Sequence, residues 1–221
     1  MLLKKLTFKV SKKKLNLLIY QNYLSIEFQL KDDETFQQTR EVIILSKLKS
    51  ELVVRYFDSW NFETNLLYIQ MELCPDNLNN IIEVKPKLFG KTALETMNPI
   101  EYFISCHLFK EIVECLQVLH EHKPKPIIHR DLKPSNILVN YTSKSNRFLK
   151  LGDFGLATFD SVRTILSHTP NQGTDCFIAP EVTTQMQLNR RLYYNTKADI
   201  FSLGRTGMLL FCYDCHDISK H

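Results

Sequence analysis

Two motifs constrain this chain more than anything else in it. The run His129-Arg130-Asp131-Leu132-Lys133-Pro134-Ser135-Asn136 is followed by Asp153-Phe154-Gly155, whose aspartate stands 22 positions after Asp131 (153 − 131). Between them lie two short apolar runs, Ile137 to Val139 and Phe148 to Leu151, which read as strands. Strands at those places hold the polar groups of both motifs on a rigid frame. A third motif, Ala179-Pro180-Glu181, comes later in the chain. Three motifs in a fixed order are hard to obtain by accident.

In that order they match the protein-kinase signature, and the chain resembles that family from about Glu41 to Gly204. The resemblance implies an α+β, two-lobed protein-kinase-like fold. A small lobe of β-sheet plus one helix would occupy residues 1–73, and a mainly helical large lobe residues 74–221. The implied activity is that of a Ser/Thr protein kinase, moving the γ-phosphate of ATP to a protein hydroxyl. Phosphoryl transfer needs positioning and charge neutralisation more than covalent help. Asp131 would take the proton of the substrate hydroxyl, and Lys133 would offset charge on the transferring phosphate. Asn136 and Asp153 offer hard oxygen ligands suited to Mg²⁺. Met71 falls at the gatekeeper position, Glu72 and Cys74 would present backbone groups to the adenine edge, and Leu138 is assigned to the same nucleotide site. Glu41 sits where the family's helix glutamate pairs with a strand lysine. Leu45, one turn on, would stack towards Phe154, and Asp199 would brace the backbone of the catalytic loop.

The rest of the chain reads consistently with this arrangement. Leu17 to Leu30 has strand-like composition, and Phe36 to Lys49 carries apolar residues at helical spacing. Val53 to Phe62 and Leu66 to Leu73 suggest a hairpin turned by Glu63-Thr64-Asn65. Cys74-Pro75-Asp76-Asn77 breaks the pattern as a hinge would. Ile100 to His120 is a long helical segment, and Ile200 to Phe211 reads as the start of a buried central helix.

Three departures from the family stand out. The first glycine is Gly90, so no Gly-rich loop is present to cover phosphates. The strand position expected to hold the phosphate-binding lysine falls near Ile26, and Lys31 lies four or five residues further on. Electrostatic catalysis depends on preorganised charge, so an apolar residue there predicts a loss on the order of 10²-fold or more. The chain stops 17 residues after Gly204 (221 − 204), where family members continue with several helices. It therefore reads as a copy truncated at both ends, with Met208, Leu209, Leu210 and Phe211 expected to lack cover and to favour association. Two readings follow: an active Ser/Thr kinase, or a catalytically impaired pseudokinase acting as an interaction module.

Composition narrows the partners. A net charge of +4 is too mild to point to nucleic acid, and the lysines at 4–5 and 12–14 read as a solvated face. No apolar run is long enough for a bilayer, and the start lacks the apolar core of a signal peptide, so a cytoplasmic location is expected. Cys212-Tyr213-Asp214-Cys215-His216 has the haem-attachment spacing and Asn140-Tyr141-Thr142 the glycosylation spacing, and both are read as coincidence. The stretch LVVRYFDSWNFETNLLYIQMELC resembles kinases of the translation initiation factor 2 alpha subunit. That closer resemblance implies initiation factor 2 alpha as substrate, a homodimer or heterodimer through the small lobe, and regulation at Thr169 and Thr174. A phosphate on Thr169 would pair with Arg130.

Overall fold

Alternation of apolar and polar residues builds the first layer. The computed structural model describes residues 4–10, 13–20, 23–29, 35–62, 66–90, 96–142, 146–159, 175–188 and 194–211. Five antiparallel strands, β1 (Lys4–Val10), β2 (Lys13–Tyr20), β3 (Tyr23–Gln29), β4 (Tyr56–Phe62) and β5 (Leu66–Glu72), lie in the order β1-β2-β3-β5-β4. The order leaves β1 and β4 at the two edges. Along β5, Leu67, Ile69 and Met71 are buried and the residues between them half-exposed, so one face of the sheet is the core face. Helix α1 (Thr35–Lys47) connects β3 to β4 and sends Ile44 and Leu45 into the same apolar cluster.

The segment Leu17 to Leu30, read as strand-like, holds the end of β2 and all of β3, paired as a hairpin from Asn16↔Glu27 to Tyr20↔Tyr23. Gln21-Asn22 lies between them, and a polar pair with Asn is a hairpin signal that the apolar composition masked. The lysine-bearing start is likewise a strand pair, registered from Lys4↔Ile19 to Val10↔Lys13.

Residues 73–75 carry the chain out of the sheet with no regular structure. Strand β6 (Asp76–Asn77) then joins β8 (Ile137–Val139) and β9 (Leu149–Leu151) in a small antiparallel sheet, while β7 (Ile127–Ile128) pairs with β10 (Thr158–Phe159). Helix α2 (Leu78–Leu88) is capped by Asn77, whose side chain accepts the Asn80 N–H at 3.2 Å. Helix α3 (Pro99–His120) starts with Asn98 accepting the Glu101 N–H at 2.8 Å and proline at its first position, a strong N-terminal signal. Helices α4 (Pro180–Gln187) and α5 (Thr196–Leu210) are the last described helices of the large lobe. The fold is the expected α+β, two-lobed kinase arrangement.

α5 packs closely on α3 because Gly207 has no side chain: a Cβ there would sit 2.7 Å from Phe109 Cε2. The end of α5 is also pinned by a buried lysine. Lys85 of α2 donates to Ser105 Oγ at 2.8 Å and to the Leu210 carbonyl at 2.5 Å, with Glu101 Oε1 at 3.8 Å balancing its charge. The expectation that Met208 to Phe211 lie uncovered is therefore corrected. Leu210 is fully buried, Met208, Leu209 and Phe211 are half-buried, and the Phe211 ring meets Tyr102 and Phe109 at 5.6 and 6.0 Å. Exposed apolar residues lie elsewhere, among them Leu88 of α2 and Ile100 and Phe103 of α3. Among the described residues no helix is long and apolar enough to cross a membrane. Cys212, Cys215 and His216 lie outside the described residues.

Leu116 of α3 is buried in the main core. Leu116→Ala should lower the unfolding free energy by about 2–5 kcal/mol, measured as a lower denaturant midpoint with an unchanged slope.

Candidate active site

The site begins with one carboxylate that carries no chemistry of its own. Asp199, in the first turn of α5, is fully buried and accepts two backbone bonds, from His129 N–H at 2.8 Å and Arg130 N–H at 2.9 Å. His120 Nε2 lies 2.9 Å from the same carboxylate. These contacts hold the chain after β7 in a conformation it would otherwise avoid, since Arg130 has φ +69°. The bracing expected of Asp199 is thus in place.

His129 is locked next. Its Nε2 lies 2.9 Å from the Gly152 carbonyl, and its Nδ1 accepts the Asp131 N–H at 3.4 Å, which together assign the proton to Nε2. One imidazole therefore ties the Asp131 loop to the residue preceding Asp153. Gly152 is required here, because a Cβ on it would meet Leu138 Cδ1 at 2.5 Å.

Asp131, Lys133 and Asn136 form one contact set. Lys133 Nζ donates to Asp131 Oδ2 at 2.8 Å, and Asn136 Nδ2 donates to the Asp131 carbonyl and to Oδ2 at 2.8 and 2.9 Å. With its amide nitrogen so used, the Asn136 oxygen accepts one long bond from Ser135 Oγ at 3.5 Å and has a second lone pair for another partner. Its main chain is also fixed, its carbonyl accepting the Gly152 N–H at 2.9 Å. Asp153, at φ +55°, opens its carboxyl onto the cleft, and the protein around it withdraws enough water to push its pKa up, with Asp131 adding to the shift. Among the described residues no three Asp, Glu, His or Cys side chains converge as a metal cage. An amide oxygen and one carboxylate do fit a Mg²⁺ ion that keeps water and phosphate oxygens in its shell.

Glu41 of α1 reaches this site. Its side chain is 6 % exposed, and its Oε2 and Asp153 Oδ1 lie 3.6 and 3.4 Å from the point where a Gly155 Cβ would be. The Phe154 N–H bonds to its carboxylate, while burial and then the Asp153 charge raise its pKa to about 8. Phe154 is fully buried, its ring 5.2 Å from that of His129, in the same cluster as Leu45. The expected lysine partner is not on the strand: Ile26 faces Ile69 across the β3–β5 ladder and packs on the core. Two ladder positions away, Leu24 faces the buried Met71.

Cys74 lies in the 73–75 link, and burial raises its thiol pKa to about 12, keeping it protonated. The Glu72 main-chain N–H donates to the Arg55 carbonyl at 2.8 Å. Its side chain makes a connection that sequence reading missed. Oε1 accepts from Asn140 Nδ2 at 2.5 Å, and Oε2 accepts the Arg55 N–H and lies 3.1 Å from Lys150 Nζ. Glu72 ends β5 of the small lobe, whereas Asn140 and Lys150 belong to the β8–β9 hairpin of the large lobe. Nothing in the local sequence marks these three as partners. Asn140, the residue of the glycosylation spacing, is buried and committed to this latch. Thr169 and Thr174 lie outside the described residues.

The protein kinase domain family matches residues 23–215. Mouse serine/threonine-protein kinase Nek3 is 32% identical over 186 residues, 83% of this chain and 31% of that protein. U-box domain-containing protein 52 of Arabidopsis thaliana is 35% identical over 173 residues, 76% of this chain and 18% of that protein. Serine/threonine-protein kinase pakG of Dictyostelium discoideum is 32% identical over 182 residues, 81% of this chain and 13% of that protein. This chain belongs to the protein kinase family, in the company of ATP-dependent Ser/Thr kinases. It spans less than a third of the length of each of these three relatives.

Asp199→Asn should destabilise the fold by about 2–4 kcal/mol, because it removes the charge from three hydrogen bonds at once; urea unfolding measures it. Glu41 should leave a pH signature. Its folded pKa of about 8 lies above its ordinary 4.5, so the folded chain binds this proton more tightly than the unfolded chain. Its contribution to stability therefore falls as pH rises from about 4.5 to about 8, and is level above that. Urea midpoints of the metal-free protein across this range should show the decline, and Glu41→Gln should flatten it.

Proposed function

We propose that this chain is an ATP- and Mg²⁺-dependent Ser/Thr protein kinase domain, with the lobe boundary between residues 73 and 74. The observation that carries the reading is the contact set of Asp131, Lys133 and Asn136 beside Asp153. Asp131 accepts the proton of the substrate hydroxyl and aims its oxygen. Lys133, held at Asp131, is placed to neutralise charge on the moving phosphoryl group. Asn136 and Asp153 would hold Mg²⁺, which when bound draws charge from the ATP phosphates. Met71, Leu138, Glu72 and Cys74 frame the adenine end, and Glu41 sets α1 against the Asp153 loop.

Arg130 supports a regulatory contact. Its Nε donates to the Leu156 carbonyl at 2.7 Å and its guanidinium lies 4.8 Å from the Tyr194 ring centre. Nη1 and Nη2 are buried and have no hydrogen-bond partner among the described residues. Burial is the main cause that lowers its pKa to about 10, with the charge of Arg40 of α1 adding to it. A phosphate on Thr169 of the activation segment fits that need. The substrate is translation initiation factor 2 alpha, a reading carried by the sequence resemblance, and the location is cytoplasmic.

One observation favours a second reading. With Ile26 on the strand and Glu41 buried without a lysine beside it among the described residues, no described lysine of the small-lobe strand stands over the phosphates, and Lys31 lies outside the described residues. That favours an impaired kinase acting as a binding module.

The two readings separate experimentally. If the first holds, Mg·ATP raises the thermal midpoint and Asp153→Ala abolishes the rise. Labelled phosphate should then pass to initiation factor 2 alpha, with Asp131→Asn lowering the rate on the order of 10²–10⁴-fold. A folded chain with no Mg·ATP shift removes the catalytic reading, and transfer to other proteins alone removes the substrate.

A further inference from the structure

Behind the hinge lies a cavity of about 820 Å³. None of Glu41, Asp131, Asn136 or Asp153 lines it, so it is separate from the catalytic cleft. The end of α1 and the start of β4 supply its apolar wall, with Leu45, Leu48, Tyr56 and Phe57. The latch of Glu72, Asn140 and Lys150 forms another part of the lining. Volumes of this size suit small organic ligands when a few polar groups converge on an apolar wall.

The polar groups here favour negative charge. Glu72 asks for nothing further, since Asn140 occupies one oxygen and Arg55 N–H and Lys150 the other. Lys150 is different. It is 8 % exposed, its ammonium has three N–H donors, and Glu72 is its one polar contact among the described residues. Buried donors left without an acceptor are unfavourable, and the cavity is where an acceptor can enter. Arg55 adds a guanidinium fork suited to a carboxylate or phosphate, poised 5.0 Å from the Phe57 ring centre and with no ion pair among the described residues. Across the lining, Lys49, Arg55 and Lys150 stand against Glu51 and Glu72, an excess of one positive charge.

We propose that this cavity is a second ligand site, for a small organic anion whose carboxylate or phosphate meets Lys150 and Arg55 and whose apolar body lies on Leu48 and Tyr56. The site does not rest on the catalytic reading. A ligand there touches the residue that joins the two lobes, so occupancy is felt at the hinge.

Benzoate, phenyl phosphate and the uncharged benzamide are titrated against the chain by thermal shift at constant ionic strength. Benzoate or phenyl phosphate should raise the midpoint saturably, with half-effect in the millimolar range expected of such small ligands. The stronger of the two identifies the anion, and benzamide should do nothing. Lys150→Met should abolish the rise. Ser46→Trp, which fills the cavity from an exposed position without touching the latch, should do the same if Lys150→Met fails to fold. Asp153→Ala should leave it intact. The proposal is overturned by no saturable rise, by an equal response to benzamide, by a rise that survives Ser46→Trp, or by one that Asp153→Ala removes.

Discussion

The buried carboxylate of Asp199 is the interaction on which this structure turns. Two main-chain N–H groups and an imidazole converge on it, each from a segment leading into the site. A backbone that places Arg130 in the left-handed region is unfavourable by itself, on the order of 1–3 kcal/mol. Charge-assisted bonds in a dry environment offset that amount. Asp131 then emerges at a fixed angle, and everything that positions a phosphate follows from it. The helix bearing Asp199 is in turn held by the Gly207–Phe109 contact and by the Lys85 clamp at its end. The geometry of the cleft is therefore determined by residues well outside it.

A different kind of tension exists around Glu41. Sequence places a glutamate on α1 and an isoleucine on strand β3, and the fold buries the first and half-buries the second against the core. An acid at that depth with Asp153 close by holds its proton at neutral pH. α1 is joined to the Asp153 loop by the Phe154 N–H and by apolar packing of Leu45 and Phe154. That coupling works through shape and one hydrogen bond, where a lysine would have supplied charge.

Much of the arrangement was legible from residue order. The Asp131 and Asp153 motifs, the two strands between them and α3 from Ile100 onward follow from local patterns of type and spacing, while the bracing by Asp199 followed from the family resemblance; the Asn98-Pro99 start of α3 was not read. The β1–β2 hairpin was hidden because lysines dominate the eye where the alternation is weak. Helix α2 escaped because Pro86 lies inside it, a residue that argues against helix except near an end. The Glu72–Lys150–Asn140 latch could not be read at all. Its members are 68 and 78 positions from Glu72 (140 − 72 and 150 − 72), and only the packing of one lobe on the other brings them together. The burial of Leu210 had the same origin, since its cover comes from helices far earlier in the chain.

The strand order has a consequence for the molecule among its neighbours. Among the described strands β1 is at one edge of the sheet, with a row of main-chain donors and acceptors that no other described strand satisfies, the usual seed for stacking one copy on another. Its sequence, KKLTFKV, carries Lys4, Lys5 and Lys9. Two copies paired through this strand would bring lysine-rich sequences side by side, so the composition of β1 opposes that pairing, while its backbone stays registered on β2.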